Sequence, residues 1–224
     1  MSEPIPNPQL LRSLGRLARG LSALFWGLPA ALIVCAETAR ADWLKPHGIL
    51  PALAVNALLL YGLWQMSDFQ KQERPWRNAL DRALLLALVN LGLCPFIFWH
   101  NKMPGQFFFS FAVILLEISG VLFLFNLNLV LQRLGAMLPD ESLRQETRQF
   151  TALNRWLLVA LPLVSIGFIG LTEIHLPMLA MGRLLGWIEV FILIFFVLLP
   201  LAMTMALIWK TKEVILDAVF GTRQ

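Results

Sequence analysis

Charge is scarce in this 224-residue chain: Asp, Glu, Lys and Arg make up 14% of it, where an ordinary soluble domain carries about 25%. Apolar residues make up 58% and the mean hydropathy is +0.70. That balance excludes a water-soluble globule. It also excludes a disordered chain, which needs low hydrophobicity and high net charge. With only two cysteines there is no disulfide scaffold. The catalytic templates are missing too: no HExxH, CxxC, GxSxG, Walker A or dinucleotide fingerprint occurs. Finally, no Lys or Arg falls inside any of the long apolar runs.

Those runs dominate the sequence. Six stand out: Leu21–Ala36, Ile49–Met66, Ala83–Trp99, Phe107–Leu131, Leu157–Thr172 and Leu184–Trp209. About 20 apolar residues in a helix cross the hydrocarbon core. In lipid only helices and closed barrels satisfy every backbone polar group, and long unbroken runs are helical. The fold class expected is an all-α membrane protein, a bundle of six transmembrane helices. Residues 1–20 read as a cytoplasmic tail and amphipathic surface helix, 21–209 as the transmembrane domain, and 210–224 as a short cytoplasmic tail.

Lys and Arg set the orientation. Arg12, Arg16 and Arg19, the loops at 67–82 and 132–156, and the C-terminal tail hold fourteen of them on one side; Arg40, Lys45, Lys102 and Arg183 are the four on the other. Positive residues stay inside, so both termini are expected in the cytoplasm, with a bacterial inner membrane as the location. The net charge of +4 is then an insertion signal and implies no nucleic-acid partner. Tryptophans agree: Trp43, Trp99 and Trp187 fall at expected outer ends, Trp64, Trp156 and Trp209 at inner ends. Trp76 reads as an inner-loop residue and Trp26 as the one inside a span. A basic start, an apolar run and Ala39-Arg40-Ala41 imitate a secretory leader, but about 20 residues precede the run, longer than a leader's basic region, so the segment reads as a retained span.

Leu10, Leu14, Leu17 and Leu21 recur at helical spacing opposite Arg12, Arg16 and Arg19, which marks those arginines for contact with anionic headgroups. In the fourth loop, Gln132–Trp156, Leu138-Pro139-Asp140 breaks one helix and Ser142 with Gln145 fits a capping box that starts the next. This longest polar piece is also a candidate surface for a cytoplasmic partner.

Ionisable residues within a span are functional candidates by default. Glu117 is the eleventh residue of the fourth span, about 15 Å deep; Glu189 is the sixth of the last, about 8 Å below the outer surface. Neither has a Lys or Arg within a span to neutralise it. Each therefore needs a proton, a hydrogen-bonding neighbour, a bound cation or another chain. Asn90, Asn126, Asn128 and Glu173 are the supporting ion- or proton-binding candidates, and Asn56 is a further polar neighbour. Glu117, Gly120 and Asn128 share one side of their helix while Ser119 and Asn126 lie opposite, which marks that helix as central in the bundle. His100 and His175, on the outer side with Cys35 and Cys94, offer ligand types for a metal without a metal-binding spacing. The two cysteines form a disulfide only if the spans bring them close. No cofactor is implied, and a metal or haem on the outer side stays open.

The function expected from these features is that of a non-catalytic subunit or accessory of a larger membrane assembly, partnered by lipid, by other membrane subunits or by its own copy. The alternative is a small cation- or proton-coupled transporter or channel using Glu117 and Glu189. A third is an intramembrane metal-dependent enzyme.

Overall fold

A computed structural model describes residues 8–40, 45–69, 72–137, 141–173 and 179–220, with side chains for 12–40, 46–69, 72–137, 141–160 and 195–217 except 142, 143, 146 and 196. It is all-helical, with no strand among the described residues. In chain order the helices are α1 (Pro8–Arg40), α2 (Leu50–Met66), α3 (Arg74–Leu93), α4 (Pro95–Lys102), α5 (Phe107–Met137), α6 (Glu141–Glu173) and α7 (Leu179–Phe220), with a 3-10 turn at Lys45–His47. Among the described residues, three stretches are long and apolar enough to cross a membrane: Arg12–Arg40, Arg74–Lys102 and Phe107–Met137. Apolar α2 is shorter, at 17 residues.

The segment expected to lie apart as a surface helix continues without a break into the first apolar run, as a single 33-residue α1. Leu17 and Leu21 are fully buried, so its leucine face packs on protein. The third expected span is two helices, α3 and α4. Pro95 has no N–H for the Leu91 carbonyl, so the helical ladder is interrupted there. The Cys94 thiol donates to that carbonyl instead, at 3.3 Å. The helix expected to restart at Ser142 begins one residue earlier, at Glu141. Most of the expected loop 132–156 is therefore helical, and the break at 138–140 lies outside the described residues.

One apolar core joins the first half of α1, the second half of α2, the first half of α3 and the second halves of α5 and α7. Successive helices are therefore antiparallel in that core. It sits at the end of the molecule where the arginine clusters gather, called here the basic end. Two glycines set its tightest crossing: a Cβ on Gly20 would lie 2.6 Å from the Gly62 carbonyl oxygen. Trp76 is not in a loop. It stands in the first turn of α3, wholly buried, with its indole N–H donating to the Phe69 carbonyl at 3.1 Å and its ring edge-on to Phe69. Among the described residues the opposite end has a small cluster, Ala52, Cys94 and Ile97, against which Cys35 packs. There Asn101 of α4 donates to the Thr38 carbonyl of α1 at 3.0 Å.

Candidate functional site

Among the described residues, two separate loci gather polar groups from different helices. The first lies toward the opposite end, where α4 turns into α5. Phe107 (82% exposed), Phe111, Ile114, Ile118 and Leu122 recur at helical spacing along one outward face of α5. Glu117 is exposed beside that face. Among the described residues no hydrogen bond or ion pair reaches its carboxylate; the group whose field acts on it is His100. His100 Nδ1 in turn shares a hydrogen bond with the Ser110 hydroxyl at 3.3 Å. Sequence reasoning looked for Lys or Arg within the spans and so missed a histidine one helix earlier in the chain. The helix expected to be central is buried only in its second half, from Phe123 onward, where Leu127, Asn128, Val130, Leu131 and Leu134 enter the core. Its first half presents large aromatic residues outward.

The second locus lies at the basic end, between α5, α6 and α7. Thr204 is its hub: both Asn128 and Asn154 donate to its Oγ1 at 3.0 Å, and its own hydroxyl donates to the Pro200 carbonyl at 2.8 Å. Asn154 also donates to the Pro200 carbonyl, at 3.2 Å, and Asn128 to the Leu124 carbonyl, at 2.8 Å. All three hub residues are buried. Amide donors are thus consumed while acceptors are left over: Asn128 Oδ1, Asn154 Oδ1 and Thr151 Oγ1 are buried without a partner among the described residues. Next to them runs a narrow crevice lined by Phe125, Asn128, Leu129, Thr151, Arg155 and Leu158, too tight for a water molecule. The Arg155 guanidinium lies over the Phe125 ring, 5.4 Å from its centroid. Such a network binds three helices where lipid supplies no hydrophobic force to do so. Thr151, Asn154 and Thr204 were absent from the sequence candidates. Asn154 lies just before the fifth apolar run, and the i, i+4 pair Pro200 and Thr204 was the legible signal.

The remaining candidates are dispersed. Glu117 and Asn128 are eleven residues apart on α5, about 16 Å along its axis, and do not share a site. The Asn126 amide returns to its own helix, donating to the Leu122 carbonyl at 2.8 Å. Asn90 is buried on α3 with Oδ1 unpartnered among the described residues, as is the Ser119 hydroxyl on the facing helix α5. Asn56 donates to the Ala52 carbonyl at 2.9 Å and approaches the Cys35 sulfur at 3.8 Å. Cys35 and Cys94 are free thiols. Glu173 ends α6 and Glu189 lies within α7, with side chains outside the described residues; His175 lies wholly outside them. Among the described residues no three His, Cys, Asp or Glu side chains gather to hold a metal. Arg12, Arg16 and Arg19 are exposed along α1, and Arg16 is ion-paired with Asp68. No protein-family model, curated protein or solved structure matches the chain.

Proposed function

We propose that this chain is a polytopic inner-membrane protein that serves, without catalytic chemistry of its own, as a subunit or accessory of a larger membrane assembly. In this reading α6 and α7 complete a bundle of six spans, with both termini in the cytoplasm. The division of Lys and Arg, fourteen against four, supports that orientation. The observation that carries the functional reading is Glu117. It lies near the middle of a span on an exposed face, among phenylalanine, isoleucine and leucine side chains. A lone carboxylate facing lipid at that depth opposes insertion by about 2.5–3.5 kcal/mol. A neighbouring membrane helix that offers a hydrogen-bond donor or a cation removes the penalty and covers the face at once.

The test places a photoreactive amino acid at Ile118 or, as a control, at Leu88 on the exposed side of α3, in native membranes. Position 118 is expected to give an adduct with a second polypeptide, lost in Glu117→Leu; Leu88 is expected to give lipid adducts alone. Lipid adducts alone from position 118 would overturn the reading. The transporter alternative draws on one observation, an acid within an apolar span whose carboxylate has no hydrogen bond or ion pair among the described residues. It requires coupled flux in proteoliposomes that collapses in Glu117→Gln while the fold survives. Flux that Glu117→Gln leaves unchanged removes that alternative.

A further inference from the structure

The outer surface of α1 carries two kinds of residue in one line. Arg12, Gly15, Arg16 and Arg19 are spaced i, i+3, i+4 and i+7 and therefore share a stripe of the helix. Two further steps of seven residues along the same stripe reach Trp26 and Ile33, which are 69% and 60% exposed. Leu17, Leu21 and Leu24, on the other side, are fully buried. The outward stripe is thus basic at its start and apolar beyond.

The basic part also has room. A Cβ on Gly15 would meet nothing within 4 Å, whereas one on Gly20 would collide with α2. Gly15 lies in an open depression that, among the described residues, is lined also by Arg12, Arg16 and Arg19. Asp68 neutralises Arg16 and holds it at one edge. Arg12 and Arg19 are exposed and have no counter-ion among the described residues. They are separated by about 10 Å along the axis, and Trp26 lies the same distance beyond Arg19. The Trp26 ring is steadied edge-on by Phe25, with centroids 5.3 Å apart.

A ligand that complements this face needs an anionic head for the guanidinium groups and a long apolar tail for the track above them. Inorganic phosphate matches only the first part and plain hydrocarbon only the second. We propose that the face of α1 from Arg12 to Ile33 is a binding site for an anionic phospholipid. Its phosphate sits over Gly15 between Arg12 and Arg19, and an acyl chain lies along Trp26 and Ile33. The planar fork of arginine gives phosphate two parallel hydrogen bonds, which a lysine cannot. A general attraction between basic residues and headgroups needs no seat; here the missing side chain of Gly15 makes one, and the tail has a path. The site lies within this chain alone and stands whether or not Glu117 has a partner.

The experiment uses the full chain in nanodiscs of phosphatidylcholine doped with phosphatidylglycerol brominated in mid-chain, since bromine quenches an adjacent indole. There are eight tryptophans, so the Trp26 signal is taken as the difference between wild type and Trp26→Phe. That signal is expected to be half quenched at a far lower mole fraction of brominated phosphatidylglycerol than of brominated phosphatidylcholine. Arg12→Gln and Arg19→Gln are each expected to raise the phosphatidylglycerol midpoint about fivefold, the lysine variants less, with the thermal transition unchanged in all four. Equal midpoints for the two lipids, or a midpoint that ignores both glutamine variants, overturns the proposal. So does loss of the phosphatidylglycerol preference on adding inorganic phosphate at constant ionic strength, which would assign the seat to a free anion.

Discussion

The two ends of the molecule are built from the same helices and are packed very differently. At the basic end Leu17, Leu24, Leu63, Trp76, Leu131 and Ile208 are wholly buried, α1 and α2 meet glycine to glycine, and Asn128, Asn154 and Thr204 bind three helices together. At the opposite end α5 turns aromatic side chains outward, and among the described residues a Cβ on Gly120 would meet nothing within 4 Å. Hydrophobicity does not explain the contrast, since α5 is strongly apolar along its length. In a membrane, lipid tails are as good a neighbour as leucine, so helices close on one another only where small residues allow close contact or polar groups demand it. The basic end has both. The first turns of α5 have one such polar contact, between Ser110 and His100 of α4, and Glu117 has no hydrogen bond or ion pair among the described residues.

The largest test of this contrast is a pair of glycines. Gly20→Leu drives its Cβ toward the Gly62 carbonyl and the Met66 side chain; it is expected to destabilise the protein by about 3 kcal/mol. Gly120→Leu is expected to stay within about 0.5 kcal/mol. Thermal unfolding in one fixed detergent measures both. A Gly120 variant as damaged as the Gly20 variant would mean that the two ends are packed alike. An intermediate effect is expected at the polar network. Asn154→Leu removes two donated hydrogen bonds and leaves Thr204 and the Pro200 carbonyl short of donors, for a loss of about 1–2 kcal/mol. Asn126→Leu, whose amide bonds only its own helix, is expected to lose less than about 0.5 kcal/mol in the same assay. Equal losses would show that the network does not bind the helices. The smallest effect belongs to the Arg16–Asp68 pair, both members of which are solvent-accessible. Arg16→Gln is expected to shift stability by about 0–1 kcal/mol, with the difference fading as salt is raised. A shift that ignores salt would mean that Arg16 contributes through packing.

Much of the fold was legible before any coordinates. The apolar runs map onto the helices observed, with Ile49 just outside α2 and Cys94 between α3 and α4; Pro95 opens α4, and α6 starts at Glu141, so that Ser142, expected as its cap, lies in its first turn. The candidate sites were less legible. Helical periodicity says which residues share a side of α5, and it correctly separates Asn126 from Asn128. It does not say which side meets protein, because that depends on how the helix is rotated against its neighbours. The sequence places Glu117 on a central helix, yet it stands on an exposed face; it places Asn154 in the polar fourth loop, yet it is buried in a three-helix contact.

Composition and spacing alone determined that this chain is helical and apolar enough for a membrane, because backbone groups in hydrocarbon leave little choice of structure and a run of some twenty apolar residues has one economical use. Tertiary structure alone decided which polar groups meet. Contacts such as Asn154 to Thr204, Gly20 to Gly62 and Asn101 to the Thr38 carbonyl join residues on different helices. In a solvent that treats every apolar face alike, the rotation of each helix is chosen by close fit and by hydrogen bonds between chain segments far apart in sequence.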